Sequence, residues 1–171
     1  MTVIVLRLGH RIFRDQRITS HCALVSRAFG ADGFIYSGEK DKGMEDSVKK
    51  VARQWGGKFK VKYTQKWKNI IREWKGRTVH LTVYGMPLES KTKELRSEKN
   101  LLIIVGGEKV PPEVYKSVDL NISVTNQPHS EIAALSMLLD RYFDGTEFRK
   151  TFPGAKLKAV PQERGKKVIR L

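Results

Sequence analysis

Three short stretches combine glycine, proline and small polar side chains directly after apolar runs: Tyr84-Gly85-Met86-Pro87, Gly106-Gly107-Glu108-Lys109 and Thr125-Asn126-Gln127-Pro128-His129-Ser130. Glycine lets a backbone come close to a ligand. Proline in the first turn of a helix, where Pro128 is expected, forfeits no hydrogen bond. Free amide N–H groups at such a turn, with Asn126, Gln127 and Ser130, suit a carboxylate, a ribose or an adenine edge. Glu131 in the same turn complements the helix dipole. The plain alternative is that Asn126 or Gln127 caps a helix and Gly106-Gly107 makes a turn. Three such loops in one strongly basic chain weigh against it.

A second cluster lies near the start of the chain. Arg7, Arg11, Arg14, Arg17 and Arg27 crowd residues 7–27, beside His10, Asp15 and His21. Arginine binds phosphate through two parallel N–H groups, so Arg7, Arg11, Arg14 and Arg27 are candidate ligands of a nucleic-acid backbone. A bland basic loop is the alternative.

Other chemistries are set aside. No G-x-G-x-x-G follows the first strand, and neither a G-x-x-x-x-G-K-[ST] phosphate loop nor a G-x-S-x-G nucleophile elbow is present. His10, His21, His80 and His129 lack metal-ligand spacing, and the single Cys22 excludes an intrachain disulfide or a cysteine-based zinc site. No metal is expected. His80 alternates with Val79 and Leu81 and is expected to face away from them, as a structural or surface residue.

The elements that must position these groups follow from periodicity. Val3–Leu8 reads as a first strand. Thr19 or Ser20 is expected to cap a helix running to about Phe29. Gly33–Tyr36 is a second strand. Met44, Val48, Val51, Ala52 and Trp55 repeat at helical spacing up to Gly56-Gly57. Phe59, Val61 and Tyr63 alternate with Lys60 and Lys62, a half-buried strand with a basic outer face. Trp67, Ile70, Ile71 and Trp74 form a helical stripe that reads as core more than as a base-stacking platform. Val79, Leu81 and Val83 make a fourth strand, and Glu89–Lys99 is charged and weakly helical. Leu101–Val105 is unbroken and apolar, as a central parallel strand covered on both faces should be. A short helix through Ser117, a strand Leu120–Val124 and a helix Pro128–Phe143 complete the series. Strands alternating with helices predict an α/β fold: a mostly parallel sheet with helices on both faces. Ligands of such sheets bind beyond the carboxyl ends of the strands, where the three loops fall. Residues 1–145 are expected to form this domain, and 146–171 a basic C-terminal extension packed on it, as an edge hairpin or otherwise.

The 171 residues suit one such domain, and 33 Lys and Arg against 18 Asp and Glu leave a net charge of +15. A field of that size attracts polyanions. The basic residues are spread along the chain, densest at Lys58–Lys75 and Lys156–Arg170, which favours a folded nucleic-acid face over a disordered arm. A merely soluble basic surface, an anionic membrane or an acidic protein partner are the alternatives. No apolar run approaches the ~20 residues of a membrane span, and Met1–Leu6 reads as a strand and not a signal peptide. A cytoplasmic protein is expected.

Three stretches, RLGHRIFRDQRITSHCALVSRAFGA (7–31), IIVGGEKVP (103–111) and NISVTNQPHSEIAAL (121–135), resemble the archaeal tRNA cytidine-56 2′-O-methyltransferases of the SPOUT superfamily. The resemblance implies a C-terminal deep trefoil knot, a homodimer with its active site near the subunit interface, and S-adenosyl-L-methionine bent within the knot loops. It implies 2′-O-methylation of the ribose of cytidine 56 in the tRNA T-loop. Carried onto this chain, the cofactor loops are Leu81 with Tyr84-Gly85, then Gly106-Gly107-Glu108-Lys109-Val110, then Val124, Thr125, Asn126, Gln127, Pro128, His129, Ser130 and Glu131. Arg17, then Arg14, is the expected catalytic arginine, and His21 is the alternative base because histidine titrates near neutrality. Ile132, Leu135, Leu138 and Leu139 would serve the core and the dimer interface. The rival readings are a methyltransferase of the same superfamily acting on another RNA position, a non-enzymatic RNA-binding protein, and a basic nucleotide-binding protein of another type, against which the lack of a phosphate loop counts.

Overall fold

The computed structural model of the chain describes residues 1–107 and 109–171. Strands β1 (Thr2–His10), β2 (Gly33–Gly38), β3 (Lys60–Tyr63), β4 (Arg77–Pro87), β5 (Asn100–Gly106) and β6 (Leu120–Ser123) alternate with helices α1 (Ile12–Ala28), α2 (Lys42–Trp55), α3 (Trp67–Glu73), α4 (Leu88–Ser97), α5 (Pro112–Ser117) and α6 (Glu131–Phe143). The six strands form one parallel sheet in the order β3-β2-β1-β5-β4-β6. The period of two along each strand divides the core. Val3, Val5, Leu101, Ile103 and Val105 join the larger cluster with Cys22 and Ala23 of α1, Met44 and Val48 of α2, Leu95 of α4 and Leu135, Leu138 and Leu139 of α6. Leu6, Leu8, Leu102 and Ile104 point the other way, onto Ile71 of α3 and Val114 of α5. The unbroken run Leu101–Val105 is therefore a strand covered on both faces, as read from the sequence.

Two boundaries differ from the sequence reading. Helix α1 begins at Ile12, not near Thr19. Asp15 accepts from the Arg11 amide at 3.1 Å and its guanidinium at 2.8 Å, and Glu39 accepts from the Ile12 amide at 2.8 Å. These carboxylates satisfy the helix N-terminus. Thr19 is occupied elsewhere, 2.7 Å from His10 Nδ1, and Ser20 bonds back to the Gln16 carbonyl. Helix α6 begins at Glu131 with Ser130 as its cap, the hydroxyl accepting from the Ile132 amide. Pro128 thus lies before the helix and not in its first turn.

The tail does not extend the sheet. Strands β7 (Leu157–Val160) and β8 (Lys167–Arg170) pair antiparallel as a separate hairpin. The segment leading to it is tied down: the Gly57 amide donates to the Pro153 carbonyl and the Lys156 amide to the Gln54 carbonyl, both at 2.9 Å. Gly56 sits at φ 80°, and any Cβ there would strike the Phe152 carbonyl, so this turn requires glycine.

Among the described residues no helix is long and apolar enough to cross a membrane.

Candidate active site

Strand β4 pairs with β6 twice. Leu81 is opposite Ile122, and Met86 is again opposite Ile122, so Thr82–Gly85 is thrown out of the ladder as a loop. Gly85 lies so close to β6 that a Cβ would meet the backbone of Asn121 and Ile122. The loop after β5 is drawn toward β1, the Gly107 amide donating to the Leu8 carbonyl at 3.2 Å. A Cβ on Gly106 would run into Val110. The loop after β6 braces the first loop: Asn126 Nδ2 donates to the Val83 carbonyl at 2.7 Å, and Ser123 Oγ to the Gly85 carbonyl at 3.1 Å.

These three loops enclose a cleft of about 280 Å³ at the carboxyl ends of β4, β5 and β6. Of the expected ligand-binding residues, Leu81, Tyr84, Gly106, Gly107, Val110, Val124, His129 and Glu131 line it. Gly85, Thr125, Asn126, Gln127, Pro128 and Ser130 do not line it. Gly85 and Asn126 hold the loops together, and Thr125 Oγ1 accepts from the Gln127 amide. Lys109 borders the neighbouring clefts instead. Glu108 lies outside the described residues.

Sequence reasoning missed His80 and Tyr115 in this wall. His80 is buried, and its ring meets that of Tyr115 edge-on at 4.7 Å. Asn121 gives its amide N–H to the Tyr115 carbonyl, which leaves Oδ1, 2.9 Å from His80 Nδ1, as acceptor. Burial lowers the pKa of His80 and favours the neutral ring. Neutral and protonated on Nδ1, His80 keeps a lone pair on Nε2, which is buried without a protein partner. The period-two argument had set His80 apart from Val79 and Leu81 correctly, but the opposite face of β4 is covered too.

Glu131 stands on the far wall. It takes a fork from Arg7, Nε to Oε2 at 3.1 Å and Nη2 to Oε1 at 3.5 Å. Burial pushes the Glu131 carboxyl up, and Arg7 pulls it back down. Arg7 is fully buried beneath the site, so it is no surface phosphate ligand as the sequence had suggested. Arg27 is corrected likewise: its Nη2 donates to the Gly56 carbonyl at 2.6 Å and its guanidinium covers Phe152. Burial lowers its pKa. In both cases a charged side chain was spent on joining elements.

Arg14, Arg17 and His21 share the exposed face of α1, one or two turns apart, and none of them lines the cleft of the same chain. Beside them Phe13 is wholly exposed and Ile18 partly so. Leu135, Leu138 and Leu139 are buried within the chain, so they are not available to a second subunit as had been expected. Arg11 lines a second cleft, which meets the first at Gly107. Among the described residues no group of three or more His, Cys, Asp or Glu is placed to hold a metal ion.

Residues 55–169 match the family described as tRNA ribose 2′-O-methyltransferase, aTrm56. The chain belongs to this family. A tRNA (cytidine(56)-2′-O)-methyltransferase of Thermococcus kodakarensis is 54% identical over 99% of this chain and 97% of its own length. The enzyme of the same name from Archaeoglobus fulgidus is 52% identical over 99% of both chains. Solved structures resemble this chain in fold. An RNA 2′-O ribose methyltransferase superposes with a TM-score of 0.64 at 13% identity, over 85% of this chain and 57% of that one. An AdoMet-bound rRNA methyltransferase from Sinorhizobium meliloti gives 0.58 at 15% identity, over 84% and 56%. The chain thus spans little more than half of those two proteins. An A. aeolicus TrmH/SpoU tRNA modifying enzyme gives 0.58 at 13% identity, over 86% and 76%.

Proposed function

We propose that this chain transfers a methyl group from S-adenosyl-L-methionine to the ribose 2′-oxygen of cytidine 56 in tRNA, as a cytoplasmic homodimer. The observation that carries the reading is the convergence of the Thr82–Gly85 loop of β4 and the loops after β5 and β6 on one cleft, in a member of a family of ribose methyltransferases. The residues present fit that cofactor. Leu81, Val105, Ile122, Val124 and Ala134 offer an apolar lining. Nε2 of His80 is an orphaned acceptor in the same wall, suited to a hydroxyl or amino donor. Glycines at 85 and 106 let backbone lie where a side chain has no room. When bound, S-adenosylmethionine supplies a methyl group on a sulfonium centre, open to in-line attack by a ribose oxygen.

The protein's part is to hold the two reactants in line and to receive the hydroxyl proton. We assign the exposed face of α1 to the RNA side of this task. Arg17, with Arg14, orients phosphate and hydroxyl, since a guanidinium stays protonated. His21 is the group able to take a proton. Because these side chains stand away from the cleft of their own chain, the assignment supports a dimer in which one subunit's α1 faces the other's cleft. Phe13 and Ile18 are apolar groups that such an interface would cover. The double pairing of β4 with β6, and the bonds from Ser123 and Asn126 to Gly85 and Val83, support the threading of β6 past the β4 loop that a trefoil knot requires. The basic tail is read as an extension of this domain that adds to tRNA affinity.

The test is methyl transfer from labelled S-adenosylmethionine to unmodified tRNA, with the labelled nucleotide mapped. Label on the 2′-oxygen of cytidine 56 is expected. Label elsewhere would replace the substrate, and no transfer with no cofactor binding would overturn the reading.

A further inference from the structure

Beyond Gly107 the cofactor cleft opens into a second cleft of about 450 Å³, between the ends of β1, β2 and β5. A third, of about 330 Å³, shares Gly9, Gly38 and Lys109 with the second and reaches Trp67 at the start of α3. The three form one trough along the carboxyl edge of the sheet, where parallel sheets bind ligands. Its walls are chemically graded. Arg11 lines the part next to the cofactor cleft, and Lys109 lines both that part and the next. Trp67, Gln65 and Ser37 line the far end.

We infer that this trough seats the unpaired target nucleotide of the RNA, with the base on the Trp67 ring and the adjoining phosphate at Lys109 and Arg11. The inference rests on the function proposed above and adds to it the residues that would hold the target nucleoside. An indole is a stacking surface for any base. Part of Trp67 packs on the smaller core, and part lines the trough, which fixes the ring without hiding it. Lys68 Nζ lies over the ring, 5.5 Å from its centre, and pairs with Glu113 at 2.7 Å, so a base would stack on the part of the indole that faces the trough. Gln65 offers an amide donor and acceptor for a base edge. Glu39 is the one carboxylate of the second cleft among the described residues. Its Oε2 is held by the Ile12 amide at the positive end of α1, which moderates its repulsion of phosphate. The floor is backbone at Gly9, Gly38 and Gly107, and a Cβ at Gly9 would meet nothing within 4 Å, so a sugar can lie close to the main chain there.

The test measures tRNA methylation and S-adenosylmethionine affinity in Trp67→Leu, Trp67→Phe and the surface pair Gln65→Ala with Lys109→Ala. A lost base stack raises KM for tRNA by about tenfold or more. Trp67→Leu should show this with cofactor Kd unchanged, Trp67→Phe should recover most of it, and the surface pair should raise KM without affecting folding. Wild-type kinetics in both Trp67→Leu and the surface pair would overturn the trough. If the wild-type protein itself fails to methylate tRNA, the functional reading has failed. The trough is then read from binding of an unmodified T-arm hairpin: weaker binding by Trp67→Leu and by the surface pair supports it, and unchanged binding by both overturns it.

Discussion

Arg7 and Glu131 are unequal partners, and the inequality is measurable. Arg7 is buried to within 1% of its side-chain surface, while Glu131 keeps 25%. Arg7 Nη1 already lacks a partner. Replacing Glu131 by Ala strands a guanidinium that cannot shed its proton. Breaking a fully buried pair costs ~3–5 kcal/mol, and the partial exposure of Glu131 brings this to about 2–4 kcal/mol. At roughly 2–4 °C per kcal/mol for a chain of this size, the melting point should fall by about 5–15 °C. Arg7→Met should cost less, because the stranded Glu131 can take up a proton instead. Its carboxyl is already pushed up by burial. A carboxyl with a raised folded-state pKa gives stability that is full below its unfolded value and lost as pH rises through the folded one. Arg7→Met should therefore regain stability relative to Glu131→Ala as pH drops from 7 toward 5. The assay is thermal unfolding of both single variants and the double, at one fixed protein concentration because the midpoint of the proposed dimer would depend on it. The double variant should lose less than the two singles combined. Equal costs for the two singles, no pH dependence of their difference, or simple additivity would each refute this account.

Gly85→Ala should abolish cofactor binding and lower the melting point, since its Cβ has only β6 backbone to meet, whereas Gly107→Ala, whose Cβ would come no nearer than 3.7 Å to carbonyls of Gly9 and Leu8, should remain as stable as the wild type in the same scan. His80 has a lowered pKa, so its protonation opposes folding: the stability is present above the unfolded value and is lost as pH falls through the folded one. Cofactor affinity measured by calorimetry should weaken as pH falls below the ordinary histidine value and the Nε2 acceptor is lost, and His80→Gln should flatten that profile. Ending the chain at Lys156 removes a hairpin carrying Lys158, Arg164, Lys166, Lys167 and Arg170; the slope of log affinity for tRNA against log salt should shrink by roughly 2–4, with the melting point little changed because the ties at Pro153 and Lys156 remain.

Much of the sheet was legible because its strands obey a period of two, and the glycine and amide loops were legible because few other roles need them. The misses have physical causes. Asp15 and Glu39 satisfy the N-terminus of α1 from side chains that read as loop polarity, so the sequence reading places the cap eight or nine residues beyond Arg11. The double pairing of β4 has no local signature, since one residue of β6 serves two residues of β4. Arg7 carries a signal in its spacing: two residues beyond Val5 and four beyond Val3, it shares their face and so must point to the larger core, where an arginine needs a carboxylate. Glu131, assigned only to the helix dipole and the ligand, was that carboxylate. Arg27 had no such pattern, because its partner is a backbone carbonyl in a turn.

The separation of α1 from the cleft turns the assembly into a question of complementation. If Arg17 acts on the cleft of the other subunit, a dimer of one Arg17→Ala chain and one Gly85→Ala chain contains one intact site: the Arg17→Ala chain keeps a sound cleft and receives Arg17 from its partner. The second site carries both defects. Random mixing of two subunits makes half the dimers mixed, so about a quarter of wild-type sites should be active although each variant alone is inactive. If Arg17 serves its own chain's cleft, every site in the mixture carries one defect, and mixing restores nothing. The measurement is tRNA methylation after the two variants are unfolded and refolded together, with gel filtration to show that mixed dimers formed. Mixed dimers without activity would refute the shared site. A monomer in gel filtration would remove the partner cleft altogether and return Arg17 to a surface role in RNA binding.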